Sequence, residues 1–419
     1  MSETARTALP SLAGADWLEA KGVRRVFAAL DRDGDETRIV GGAVRDALAG
    51  CPVADIDFAT TALPEVVAAR AAEAGLKAVP TGIEHGTLTV VAEGVGYQVT
   101  TLREDIETDG RRAVVRFGRD WEADARRRDF TVNALSVDAV GVVADPVGGF
   151  ADIVARRVGF IGDPDRRIVE DRLRILRFFR FNAEFGAEPY DSAGLSATIR
   201  GREGLRELSA ERIGQEMRRL ILAPHAAQAI SLMQDCGILP VVLAGVAFLG
   251  PFRRLLAFEQ AVGAPPSVAL RLAAAGCRVE EDADRIGDRL RLTNAERGLM
   301  RAAVGAARRT PLPGDDKAAR RFLYDLGGEA FRGAVSLAFA WSGDTADETA
   351  YAELYRLPAR WERPRLPLGG RDALGAGASH GPAVGAFLKH LEAWWIEEDF
   401  APDAAVLRSR LQQMIAAAQ

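Results

Sequence analysis

Residues 38–60, RIVGGAVRDALAGCPVADIDFAT, constrain this chain more than any other stretch. Ile39 and Val40 are β-branched and favour extended backbone. The pair Gly41-Gly42 follows, permitting a sharp turn and a close approach of backbone to ligand. Residues 43–49 read as a short helix closed by Gly50. Then Asp55-Ile56-Asp57-Phe58 sets two acids one residue apart in an extended, apolar setting. Side chains alternate faces along a strand, so Asp55 and Asp57 are predicted to point the same way. Two carboxylates on one face repel each other unless they are solvated or a divalent cation sits between them. Mg2+ is commonly held by one or two carboxylates plus substrate phosphates. Either half of this pattern alone is commonly a turn; glycine pair, helix and paired acids in sequence are a narrower signal for phosphate chemistry.

At 419 residues the chain can form about two to four domains and bury a large core. Its 48% hydrophobic and 27% charged content is that of ordinary globular protein. The net charge of −5 excludes a molecule that is basic all over, so any nucleic acid must meet a local patch. Cys51, Cys236 and Cys277 are far apart, without zinc-like spacing, and read as buried free thiols in a reducing compartment. The first seventeen residues hold no long apolar run, and no stretch approaches a membrane span, so the expected location is the cytoplasm. His85, His225, His380 and His390 are isolated, and no His-Asp pair exists.

Residues 16–30 are predicted to form one amphipathic helix, followed by a polar turn over 31–37. After the opening motif, Thr61 is a candidate cap and Pro64 a first-turn proline for a helix ending at Gly75. Residues 87–92 and 97–102 read as strands of a hairpin joined by Glu93-Gly94-Val95-Gly96. Residues 103–112, REDIETDGRR, are polar and centred on Asp109-Gly110, which suits a mobile loop or a solvated hairpin tip. Arg126, Arg127 and Arg128 are adjacent and repel one another unless solvated or facing phosphate. Residues 145–149, DPVGG, form a hinge between strand-rich and helix-rich parts. Beyond about residue 223 the chain reads as helices with short turns, among them 224–236, 267–276 and 403–418.

Residues 163–186 form a second centre. Asp163-Pro164 reads as a cap and an N1 proline for one continuous helix. Ile168, Val169, Leu173, Ile175, Leu176 and Phe179 fall on one broad face, with Glu170, Arg174 and Arg177 opposite and Asp171 and Arg180 at the margins. Arg172 falls within the apolar face, without explanation. Glu170 and Arg174 are spaced as an i,i+4 pair, Asp171 and Arg174 as an i,i+3 pair. Six arginines against two acids over 166–180 suit an anion or a base plane.

The motifs, in this order, resemble those of class II tRNA nucleotidyltransferases of the polymerase β superfamily, the CCA-adding enzymes and bacterial poly(A) polymerases. The resemblance runs over about residues 35–220: GG-x-x-RD with Asp-x-Asp, Arg128-Asp129-Phe130-Thr131, Glu170-Asp171-x-x-Arg174, and Leu208-Ser209-Ala210-Glu211-Arg212-Ile213, the last expected to be structural with Ser209 as cap. It implies an α+β architecture: a polymerase β-like head on a small antiparallel or mixed sheet over 1–145, a helical neck over 146–222 with a base-reading helix, and a helical, tRNA-binding body and tail over 223–419. It implies addition of CCA to tRNA 3′ ends from CTP and ATP, with Mg2+ held by Asp55 and Asp57. Gly42 and Arg45 would contact the triphosphate. Arg128 would contact the nucleotide, with Asp129 orienting it or contacting the ribose. Asp171 and Arg174 would read the base, and Arg177 and Arg180 would complete the site. TGIEHGTLTVV and YQVTTLRED resemble the CCA-adding branch, in which the 103–112 loop helps the switch from C to A. The family's expected third acid is here Gln98, which keeps a carbonyl but no charge. Rival readings are a poly(A) polymerase, a CC-adding or A-adding partial enzyme, and a non-catalytic RNA-binding protein. Intact Asp55 and Asp57 argue against the last. No protein partner is evident.

Overall fold

The structure is a computed structural model that describes residues 9–82, 86–109, 112–343 and 346–418; for 104–109 and 112–115 only the backbone is described. Ile83, Glu84 and His85 of the TGIEHGT run, and Gly110 and Arg111 at the tip of the 103–112 segment, lie outside the described residues. The chain folds as two compact units, Met1–Val242 and Leu243–Gln419.

The first unit carries strands β1 (Thr37–Val40), β2 (Asp57–Thr60), β3 (Lys77–Gly82), β4 (Thr87–Ala92), β5 (Val95–Thr101), β6 (Arg103–Asp109), β7 (Arg112–Phe117), β8 (Ser136–Val137) and β9 (Val143–Ala144). Seven of them form one mixed sheet, ordered β3-β4-β5-β2-β1-β8-β9; β6 and β7 pair separately. Only β2 and β5 run parallel within the sheet. The helices of this unit are α1 (Asp16–Glu19), α2 (Lys21–Leu30), α3 (Gly42–Leu48), α4 (Pro64–Glu73), α5 (Trp121–Arg127), α6 (Gly149–Val154), α7 (Pro164–Glu170), α8 (Arg174–Glu184), α9 (Ser192–Gly201), α10 (Ala210–Leu222) and α11 (Ala226–Asp235). One sheet face is apolar: Ile39, Phe58, Leu88, Val90 and Val99 are at most 3% exposed. Phe58 packs edge-on against Phe27 of α2 at 5.1 Å and against Tyr97 at 5.8 Å. The opposite face carries Asp57 and, in register beside it, Gln98.

Several expectations are corrected. The helix over 16–30 breaks at Ala20, whose ψ of 133° is extended. Thr61 caps nothing: its hydroxyl donates to Asp35 and accepts from the Glu36 N–H, and α4 starts after Leu63. The β4–β5 turn is only Glu93-Gly94, both with positive φ, as a tight hairpin twist requires. β3 carried no clear alternation and was missed. The 103–112 segment is strand up to Asp109 and from Arg112, which fits the hairpin of the two readings rather than the loop. Cys51 is exposed; Cys277 is the buried thiol, pushed up to about 12 by burial.

The largest correction concerns the helix expected over 163–186. Asp163 caps α7 by accepting from the Arg166 N–H, as expected. At Asp171 the backbone turns extended, with φ −152° and ψ 110°. Its carboxylate accepts from the Leu173 N–H at 3.0 Å, a local bond that competes with helix, and α8 begins anew at Arg174. The break resets the helical phase. Val169, expected on the apolar face, is 63% exposed, whereas Arg180, expected at a margin, is buried. Arg172 turns toward the following helices, where its aliphatic stem packs against Gly204 so closely that a Cβ there would lie 2.5 Å from Arg172 Cδ.

Phe130 ties the Arg128–Thr131 segment to α8. Its ring lies 4.7 Å from Phe160, 6.3 Å from Phe178 and 5.4 Å from Phe181. Each such buried ring contributes about 1.5–3 kcal/mol, so this cluster fixes Arg128 and Asp129 against the helix they face.

The second unit is helical among its described residues. Leu249–Val262, Val268–Gly276, Asn294–Ala307 and Gly328–Trp341 pack together, while Pro382–Glu397 and Ala404–Ala416 close a separate cluster around Leu391, Trp395, Leu407 and Leu411. Ser267 and Asp403 cap their helices with side-chain acceptors.

Candidate active site

The glycine turn sets the floor. Gly41 has φ +73° and ψ −126°, a backbone closed to most L-residues, and its nearest neighbour is Arg128 Nη1, 3.7 Å from where a Cβ would stand. A Cβ on Gly42 would meet Arg45 Nη2 at 3.8 Å. Two guanidiniums therefore flank this turn. Arg45 is nearly buried, donating to Asp46 at 2.9 Å and to Asn133 Oδ1 at 2.7 Å. Arg128 donates to Asp124 Oδ2 at 3.2 and 3.0 Å and to the Asn133 carbonyl at 3.4 Å.

Asp57 opens β2, and Asp55 precedes the strand by two residues. Both line the same cavity. Burial pushes the Asp57 carboxyl above its ordinary value, the Asp55 charge pushes it further, and Arg128 pulls the other way.

The opposite wall is α8 with the break before it. Arg174 Nη1 donates to Glu170 at 2.7 Å and to the Arg167 carbonyl at 2.8 Å. Burial raises the Glu170 carboxyl, but bonding to Arg174 and the charges of Arg167 and Arg174 bring it below the usual range. Asp171 pairs with Arg212 at 2.8 Å rather than with Arg174. Arg177 bonds Asp129 at 2.6 Å, and Arg180 bonds Glu216 at 2.6 Å and Glu184 at 2.7 Å. Burial works against ionised Asp129, but Arg177, Asn133 and the Phe130 N–H hold its carboxyl below the ordinary value.

All nine residues named from the sequence, Gly42, Arg45, Asp55, Asp57, Arg128, Asp171, Arg174, Arg177 and Arg180, line one cavity of about 890 Å3. The expected orienting of Arg128 by Asp129 is corrected: Asp124 holds Arg128, and Asp129 holds Arg177. Sequence reading missed Asp124, Asn133, Arg212, Glu216 and Arg219. Asp124 had a signal in its i,i+4 spacing to Arg128, and Arg212, Glu216 and Arg219 had one in sharing a face of α10. Asn133 had none. Ser209 caps α10 as expected, but the motif it opens also supplies Arg212 to the cavity.

Residues 37–159 match the family described as Poly A polymerase head domain, and 198–249 match the probable RNA and SrmB-binding site of polymerase A. CCA tRNA nucleotidyltransferase 1, mitochondrial, of Danio rerio is 32% identical over 386 residues, spanning 90% of this chain and 87% of its own. The chain belongs to the CCA tRNA nucleotidyltransferase family. Another member, the CCA-adding enzyme of Limosilactobacillus fermentum, is 31% identical over 95% of this chain and 98% of its own. Among solved members of the family, the Bacillus stearothermophilus CCA-adding enzyme in complex with CTP superposes with a TM-score of 0.76 at 27% identity, covering 95% of this chain and 98% of that one. The described residues include no helix long and apolar enough to cross a membrane.

Proposed function

We propose that this chain adds C, C and A to tRNA 3′ ends without a nucleic-acid template, using CTP and ATP and releasing pyrophosphate. The observation that carries this reading is one cavity with paired carboxylates, Asp55 and Asp57, on the sheet side and a carboxylate–guanidinium wall, Asp171 and Arg174, on the helix side. Asp171 accepts from the exocyclic amino group of the incoming base, and Arg174 donates to the neighbouring ring nitrogen. On the Watson–Crick edge C and A both present that amino donor beside a ring acceptor; U has no amino group, and the ring nitrogen beside G's carries a hydrogen. Gly42 and Arg45 contact the triphosphate, Arg128 the nucleotide's phosphates and sugar, and Arg177 and Arg180 brace the wall. The RNA 3′-hydroxyl gives its proton to solvent, its oxygen bonds to the α-phosphorus, the bond from that phosphorus to the bridging oxygen breaks, and pyrophosphate departs.

Asp55 and Asp57 would hold Mg2+. Both carboxylates line the cavity, and two carboxylates completed by substrate phosphates are a donor set that suits a hard cation. Bound there, Mg2+ would make the 3′-hydroxyl more acidic and offset the charge growing on the leaving phosphate.

We assign transfer to 1–145, base reading to 146–222 and RNA binding to 223–419, and place the protein in the cytoplasm, which its free thiols favour. The test is nucleotide addition to tRNA lacking its 3′ end; long tails on generic RNA with ATP alone would favour a poly(A) polymerase instead.

A further inference from the structure

Every guanidinium lining the cavity is pinned by a nearby acceptor except one. Arg45 is held by Asp46, Arg128 by Asp124, Arg174 by Glu170, Arg177 by Asp129, Arg180 by Glu216 and Arg212 by Asp171. Arg219 also lines the cavity and is exposed, and it bonds no acid or carbonyl among the described residues. An unpaired guanidinium at the wall of a substrate cavity keeps its donors free for an anion.

Its position says which part of a nucleotide it meets. α8 and α10 advance side by side: Asp171 pairs with Arg212, then Arg177 and Arg180 pair with Glu216. Arg219 lies on the same face of α10, about 10 Å beyond Arg212 along the helix. It lines the cavity with Phe181 and Glu184, which stand seven and ten residues beyond Arg174 along α8. The glycine-turn corner is at this same end, because the Arg45 guanidinium stands 5.3 Å from the Phe181 ring and 5.9 Å from Phe185.

We propose that Arg219 binds the β- and γ-phosphates of the incoming nucleotide, the part that leaves as pyrophosphate. The inference rests on the proposed function, which puts the base at Asp171 and Arg174 and the phosphates at Gly42 and Arg45. Arg219 is then shared by CTP and ATP alike and plays no part in choosing between them.

The test uses the full chain, wild type against Arg219→Ala and Arg219→Lys, and reads binding of CTP, CMP and inorganic pyrophosphate by calorimetry without turnover. Loss of one charge-assisted contact is expected to weaken CTP and pyrophosphate binding about tenfold in Arg219→Ala. CMP binding stays unchanged, and Arg219→Lys recovers part of the loss. In steady state the KM values for CTP and ATP rise together while the KM for RNA holds. Equal weakening of CMP and CTP, a change confined to RNA, or no change at all would each overturn the proposal. So would a wild-type protein that binds neither CTP nor pyrophosphate. A wild type that binds CTP but adds nothing to tRNA would refute the product assignment and leave the binding result standing.

Discussion

Asp171 and Arg212 lie 41 residues apart in the chain, yet Arg212 Nη2 donates to Asp171 Oδ2 at 2.8 Å. The other carboxylate oxygen accepts from the Leu173 N–H at 3.0 Å. Two donors from different elements fix the direction of this acid, leaving its remaining lone pairs aimed one way. A residue proposed to read bases needs that fixed aim, and here it depends on a helix that ends at Glu170 rather than running through.

Base choice should therefore respond to Arg174, proposed to read the base beside Asp171, and to Arg212, which fixes the direction of that acid. Arg174→Ala is expected to lose about 1–3 kcal/mol of discrimination, the worth of a good bidentate pair. Arg212→Ala should lose less, up to about 1 kcal/mol, because its contact is partly solvated. Incorporation of UTP and GTP relative to CTP and ATP, in single turnovers, measures both. Unchanged selectivity in Arg174→Ala would reduce the wall to an ion-paired strut.

Asp55→Ala or Asp57→Ala should abolish transfer of C and A alike, by about 10³-fold or more in rate. RNA binding should persist. Near-normal turnover by a folded Asp57→Ala protein would remove the proposed metal ligands.

Gln98 stands beside Asp57 in the parallel β2–β5 register, on the same face of the sheet. A carboxylate there would add a third negative charge beside Asp55 and Asp57, and so favour a cation. Gln98→Glu should lower the Mg2+ concentration needed for half-maximal activity. Superimposable titrations of the two forms would put position 98 outside the reach of the metal.

Asp129 is buried and pairs with Arg177, which is about a third exposed and also meets Glu216 at 3.5 Å, so its loss leaves Arg177 with one partner. Asp129→Ala should cost roughly 1–3 kcal/mol of stability at neutral pH. The Asp129 carboxyl is held below its ordinary 3.8 in the folded chain. Its contribution is thus fully present above that value and disappears as pH falls through the lower, folded one. Denaturant midpoints of wild type and variant should differ by a constant amount at neutral pH and converge in strong acid. A gap that persisted at the lowest pH would point to lost packing instead.

The site was legible where chemistry and spacing coincide locally. Gly41-Gly42, Asp55 and Asp57 sit within seventeen residues, and Arg128 and Asp171 stand in short motifs whose residue types already state a charge problem. The distant partners of Asp171, Arg177 and Arg180 were not legible, because they come from elsewhere in the fold. Glu216 reaches Arg180 over 36 residues, and Asp129 meets Arg177 over 48. The fold class followed from the change of periodicity near residue 145. The break at Asp171 did not, since apolar spacing across 168–179 suits one helix and only the Asp171 side chain's bond to Leu173 ends it.

The most direct test of the account is incubation of the full chain with Mg2+, CTP and ATP on tRNA lacking its terminal CCA, with the products sequenced at single-nucleotide resolution. C, C, A and then arrest are expected, with generic RNA and ATP alone left without long tails. Processive adenosine tails, or no addition by a folded protein that binds CTP, would contradict it.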